Sequence, residues 1–382
     1  MTKDELITWA DDPQRQDTLP FGLFEEPYQK GIVGAALVVR GVLYFKGGYA
    51  PEVRQALVQC YDRYLTVIDE YEKASAKEAG IEAPRTGPMR WFYEEGAKPV
   101  AFDKTPGFPS LAKDLPSESI LVSSTTSAGH KLAAGFYEFS VFCLEDWQAA
   151  MGTRGLDVMV FTVPRRFLQI SPGTFEKLFA EFAAAVPTVH GHAGYGVNVP
   201  PMGRRPNEAS EYFWGRLYGP GIDIGDPMRT GLRDLVERIK TVDWLVALNA
   251  DLVQRAGGAS ALTLPPDWYR KTPFRDGGLI IQAGVDPVAG VPLGKGIPPA
   301  PPAAYVLLNH ALRKIVADKI NSLQSGTASS TAPLLNTSVS SEAWLQRFNV
   351  PEDELPDYWV ALHKTPKLPD SNDTTPTVRQ PR

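Results

Sequence analysis

The sequence predicts an α+β protein of two lobes, built mainly from antiparallel sheets, each covered by a long amphipathic helix. Three observations predict it. Val38, Val39, Val42, Leu43, Tyr44 and Phe45 are β-branched, aliphatic and aromatic residues that suit a pleated surface. Apolar residues then recur at three- and four-residue spacing through Val53, Leu57, Cys60, Tyr64, Ile68 and Tyr71, the stripe of an amphipathic helix. The same order of strand, loop and helix returns from Asp157-Val158-Met159-Val160-Phe161-Thr162-Val163 to Phe175, Leu178, Phe179, Phe182 and Val186, which suggests an internal duplication. A chain of 382 residues accommodates two such lobes and folds without help from disulfides or metals.

The elements follow in order. Residues 1–30 are polar with apolar anchors at Trp9, Phe21, Leu23 and Phe24, and read as an arm laid on the core. Residues 31–150 form the first lobe. Its first strand ends at Gly47-Gly48, and Pro51 suits the first turn of the helix that follows. Further strands are expected at 89–93, 120–123 and 136–144. Residues 151–321 form the second lobe, where Ser171-Pro172 supplies an N-cap and an N1 proline. Asp226-Pro227 starts a helix with Met228, Leu232, Leu235, Val236 and Ile239 inward. Residues 242–248 make a buried strand, Asn249 caps a short helix, and Gly257-Gly258 ends it. Strand 279–283, a Gly/Pro-rich loop at 291–302 and a helix over 303–316 complete the lobe. Residues 322–364 are a mobile Ser/Thr-rich linker with a final segment docked through Trp344, Leu345, Phe348, Tyr358 and Trp359. Residues 365–382 carry almost nothing apolar and are expected to be disordered.

Composition excludes several classes. With 39 basic and 44 acidic residues, the chain lacks the basic surplus of a nucleic-acid binder. No apolar run is long enough for a membrane span, since the longest is broken by Arg40 and Gly41. The N-terminus has neither the basic start nor the apolar core of a signal peptide, so a cytoplasmic protein is expected. Two cysteines, Cys60 and Cys143, rule out a disulfide scaffold, and both sit on apolar faces as inert small hydrophobes.

Chemistry-bearing motifs are sparse. His190-Gly191-His192 would place two imidazoles on one face of a strand, where they could share a metal. Asp223 or Asp226 would have to supply a third ligand, and no spacing rule selects them. Beside so many glycines the pair reads better as a tight packing site. The chain has no Gly-x-Ser-x-Gly elbow, phosphate loop, dinucleotide fingerprint or His-Glu-x-x-His. Glu94-Glu95, Glu208 with Glu211, and Asp223 with Asp226 are the carboxylate pairs. Glu352-Asp353-Glu354, between Pro351 and Pro356, reads as a solvated turn or as a contact for a basic partner.

An ordered set of segments carries a resemblance. It comprises Gly41-Val42-Leu43-Tyr44-Phe45 and its helix, Met89-Arg90-Trp91, Val163-Pro164, the stretch from His190 through Gly194 to Tyr195, and Tyr218-Gly219-Pro220-Gly221-Ile222-Asp223. Val242-Asp243-Trp244-Leu245, Gly257-Gly258 and Gln282-Ala283-Gly284 before Asp286-Pro287 complete it. In this order the chain resembles the bacterial type VI secretion immunity family paired with VRR-type nuclease effectors, over about residues 30–350.

The resemblance implies a protein with no enzymatic activity and no cofactor. It implies an antitoxin-like role in interbacterial competition: binding and neutralising a cognate effector toxin, a VRR-type nuclease, with no direct contact to nucleic acid or membrane. The chain is expected as a monomer or small homo-oligomer when unbound. A nuclease must present a basic cleft to phosphates, so carboxylates with aromatic anchors are the expected counterpart. On this reading the partner interface is Glu208, Glu211, Tyr212, Trp214, Asp223 and Asp226, a long, acidic and aromatic loop. Two rival readings are a metal-dependent hydrolase using His190 and His192, and a structural component of a secretion or phage-like assembly.

Overall fold

The structure, a computed structural model, describes residues 17–152, 155–325 and 335–369. The first half contains strands β1 (Thr18–Phe21), β2 (Gln29–Phe45), β3 (Trp91–Glu94), β4 (Val100–Ala101), β5 (Leu121–Thr126) and β6 (Glu138–Cys143), with helices α1 (Pro51–Ala79), α2 (Gly107–Asp114) and α3 (Asp146–Ala150). The second half begins with β7 (Asp157–Pro164), α4 (Phe167–Ile170), α5 (Thr174–Ala185) and β8 (Thr188–Asn198). Then come α6 (Glu208–Tyr218), α7 (Thr230–Arg233), β9 (Leu245–Leu248), α8 (Ala250–Arg255), β10 (Tyr269–Phe274), β11 (Gly278–Ala283) and α9 (Ala303–Ala311). Helices α10 (Ser338–Leu345) and α11 (Leu355–Leu362) close the described chain.

The α+β architecture with antiparallel pairing is as expected. The strands of both halves join in a single 11-stranded sheet, ordered β10-β11-β9-β8-β2-β7-β6-β5-β3-β4, with β1 on the N-terminal half of β2. All of the strand pairings are antiparallel. The junction is β2, which pairs with β7 along one edge and β8 along the other. Two halves that would each have exposed an edge strand thus satisfy each other's backbone groups. The two strand–helix units lie side by side, β2 against β7, yet the strand order outward from them differs: β6, β5, β3, β4 on one side and β8, β9, β11, β10 on the other.

Alternation along β2 sends Leu37, Val39, Gly41 and Leu43 to one face and Val38, Arg40, Val42 and Tyr44 to the other. Helices α1 and α5 cover the first face. Phe161 of β7 packs against Phe175, Phe179 and Phe182 of α5, and Phe139 of β6 against Tyr61 and Tyr64 of α1. Tyr64 donates its hydroxyl to Thr162 O at 2.7 Å, which keeps the one polar atom of that buried ring satisfied. Pro51 opens α1 and Gly80, with φ of 67°, closes it.

Several local expectations change. Helix α5 starts at Thr174 behind Gly173 and has no side-chain cap, because 167–170 already form a helical turn against the core. The helix expected from Asp226 shrinks to Thr230–Arg233: Ile239 instead bonds Ile315 O and Ala317 N, so tertiary bonds replace helical ones. Residues 208–218, read as loop, form α6. Asn249 caps α8 as expected, accepting from Leu252 N at 3.0 Å. Phe21 of the arm is buried, and Trp9 lies outside the described residues. Residues 326–334 of the linker's Ser/Thr run and most of the tail also lie outside them, while Leu345, Phe348 and Leu362 of the C-terminal segment are buried in the core.

Candidate functional site

The second face of the central strands carries buried polar groups among its valines, and their chemistry converges on Asp223. The chain enters from β8, crosses α6, and returns as an extended stretch in which Asp223 bridges Gly196. Asp223 N donates to Tyr195 O at 2.7 Å, which fixes the carboxylate over the sheet. Its Oδ2 accepts from Arg40 Nη2 at 2.7 Å and His192 Nε2 at 3.0 Å, and its Oδ1 from Lys240 Nζ at 2.6 Å. Arg40 also donates to Val197 O and to Asp223 O, each at 3.0 Å. None of Arg40, His192, Asp223 and Lys240 is more than 3 % exposed.

Burial by itself would raise the pKa of Asp223, but Lys240, His192 and Arg40 reverse that and hold it well below the usual carboxylate range. Burial pushes His192 down, so it is a neutral imidazole donating through Nε2. His190 lies next to Tyr44, with rings 4.7 Å apart, and gives its Nε2 proton to Leu235 O at 2.9 Å. Burial, helped by His192, lowers its pKa to about 3. Asp243 faces Gly194, where a Cβ would lie 1.9 Å from Asp243 Oδ1, so any side chain there would have to displace the Asp243 carboxyl. Burial and then Asp223 raise Asp243 to about 8, which keeps it protonated near neutrality.

A second group adjoins the first. Glu211 accepts from Arg204 at 3.0 Å, from Gly225 N at 2.7 Å and from Gln324 at 2.8 Å. Glu208 binds Ser325 and, with Asp226, lies within ion-pair reach of Arg204. Arg347 is stacked on Trp344 and Phe348 and donates to Pro220 O and Thr241 Oγ1. These contacts tie the C-terminal segment to the stretches that carry Asp223 and Lys240.

The structure thus brings Glu208, Glu211, Asp223 and Trp214 together in the interior, where they present no surface to a partner. This corrects the expectation that their segment is an open acidic loop: α6 turns its carboxylates inward to meet Arg204. Tyr212 and Asp226 are half-buried. His190 and His192 do share a face, but their Nε2 atoms are bound to Leu235 O and Asp223, and among the described residues no three His, Cys, Asp or Glu are grouped to hold a metal. Arg40, Lys240 and Asp243 were missed by sequence reasoning. An Arg in the middle of an apolar strand was the one available signal, because such a charge needs a buried partner. At 1–3 % exposure these groups are sealed from solvent, and their mutual contacts are those of a clamp.

Surface features lie elsewhere. A cleft of 790 Å³ opens at the ends of β2 and β6 and the start of β7, lined by Lys46, Glu52, Asp157, Asp234, Glu237 and Arg238 among others. Glu352, Asp353, Glu354 and Asp357 are exposed at the start of α11. No helix among the described residues is long and apolar enough to cross a membrane.

An immunity protein of the type VI secretion system is what the comparisons define. The family described as TsiV, type VI immunity for VRR-NUC, matches residues 56–348, and the chain belongs to it. Among solved structures it is similar to the Pseudomonas aeruginosa T6SS protein PA0821, with 28% identity, a TM-score of 0.82 and 100% of both chains covered. No curated protein matches the chain.

Proposed function

We propose that this chain neutralises a VRR-NUC effector by one-to-one association, without turnover, in the cytoplasm where the effector's DNA substrate lies. Family membership supplies the class of partner. The observation that carries the mode of action is the closure of the Asp223 cluster. Arg40, His192, Asp223 and Lys240 are buried, and Arg347 of the C-terminal segment is bound beside them to Pro220 O, so the reading is that the molecule meets its partner through its surface. A rigid sheet with both faces covered is a preorganised platform, and preorganisation lowers the entropic cost of association.

The test is a titration of DNA cleavage by the VRR-NUC effector encoded beside this chain. Inhibition should rise linearly and reach completion at an equimolar ratio. Complete inhibition at a small fraction of one equivalent would mean that the chain acts catalytically on the effector or its substrate, against the proposal.

A further inference from the structure

The stretch between β11 and α9 is a finger. Val291 N donates to Ala300 O at 2.9 Å, and Ala300 N donates to Val291 O at 2.8 Å, which closes its base. Ile297 N donates to Gly294 O at 3.3 Å, so the turn places Lys295 and Gly296 at the apex. Gly294 and Gly296 have φ of 141° and 81°, conformations that a side chain rarely adopts. Pro292, Pro298 and Pro299 stiffen the two limbs. The mount is equally fixed. Gly221 N donates to Ala289 O at 2.6 Å, and Val288 N donates to the hydroxyl of buried Tyr305 at 3.0 Å.

Every residue from 291 to 298 is exposed. That includes Val291 at 44 %, Leu293 at 57 % and Ile297 at 55 %. Three branched apolar side chains exposed within seven residues of one hydrogen-bonded loop are grouped rather than scattered, and grouped exposed apolar surface marks contact sites. Lys295 is the only charged residue between Asp286 and Arg313, and among the described residues it makes no ion pair. The finger therefore offers a single ammonium with an apolar collar.

Resting on the association proposed above, we infer that this finger is the element inserted into the effector, and that it fits a hollow with apolar walls and carboxylates at its floor. A nuclease that uses a cation to stabilise the attacked phosphate holds that cation with carboxylates. Emptied of its metal, such a cluster accepts a lysine ammonium as the substitute charge. The collar seals the hollow from water, where the ion pair is worth most, and the stiff limbs lose little entropy on entry.

Calorimetric titration of the full chain against the VRR-NUC effector encoded beside it tests this. The double change Leu293→Ser with Ile297→Ser should weaken binding about 30-fold or more, the scale of a central anchor. Lys295→Glu should weaken it about 10-fold or more. All of these side chains are exposed, so thermal unfolding should match the wild type. Rising Mg²⁺ should compete with the wild type and leave a Lys295→Ala variant's weaker affinity unchanged. Finger variants that bind as tightly as the wild type overturn the finger while leaving one-to-one association standing. A wild-type chain that shows no binding overturns both.

Discussion

Replacing Asp223 by Asn removes the carboxylate that, among the described residues, ion-pairs directly with both Arg40 and Lys240 in the interior. Both are essentially sealed from solvent, and the carboxylate accepts from them and from His192 at 2.6–3.0 Å. Asn still accepts a hydrogen bond but carries no charge, so two cations face each other across a neutral amide. Breaking a buried ion pair by removing one partner costs about 3–5 kcal/mol. At about 2.1 cal/mol/K per residue, unfolding roughly 380 residues has an entropy of about 0.8 kcal/mol/K, so the loss translates to a fall in Tm of roughly 4–6 °C. Differential scanning calorimetry reads this directly. Asp234→Asn, an exposed control, should stay within about 0.5 kcal/mol of wild type. Adding Lys240→Met to Asp223→Asn should recover part of the loss, because the stranded ammonium is gone. If Asp223→Asn proves as stable as the control, the cluster does not clamp the sheet and the reasoning fails.

Three further outcomes follow from the same geometry. Gly194→Ala should destabilise the chain by about 1–3 kcal/mol in urea unfolding, because its Cβ overlaps the Asp243 carboxyl; an unchanged midpoint would mean that the face is looser than described. His190 is held down near 3, below its ordinary 6.5, so the stability it contributes is present above about 6.5 and is lost as pH falls from there toward 3. Unfolding free energy measured between pH 7 and 4 should drop, and His190→Gln should flatten part of that slope; parallel slopes would refute the assignment. Arg347→Ala removes the guanidinium stacked on Trp344 and Phe348, and hydrogen exchange should then rise across α10 and α11 while the central strands stay protected.

The sequence showed the first layer of this molecule and hid the second. The stripe from Val53 to Tyr71 and the run from Asp157 to Val163 became α1 and β7 because burial there is periodic and apolar. Helix α6 was missed because Glu208 and Glu211 sit on its inward side, which inverts the pattern that marks an amphipathic helix. Glu208, Glu211, Asp223 and Trp214 of the expected interface are buried for the same reason: an acidic, aromatic stretch looks like surface until Arg204, Arg40 and Lys240 are seen to neutralise it. Strand β10 escaped notice because Arg270, Lys271 and Pro273 are the residues of a blunted edge. The union of both halves in one sheet depends on β2 pairing along both edges, a non-local choice that no local pattern encodes. The Gly/Pro-rich loop at 291–302 was legible as a loop, while its closed base and exposed apolar limbs were not.

Size-exclusion chromatography with light scattering, on this chain mixed with the VRR-NUC effector encoded beside it, tests the central claim most directly. The account predicts a single species containing one copy of each chain, with no free effector at equimolar mixing. Separate elution of the two proteins, at concentrations where the effector's nuclease is nevertheless silenced, would contradict it.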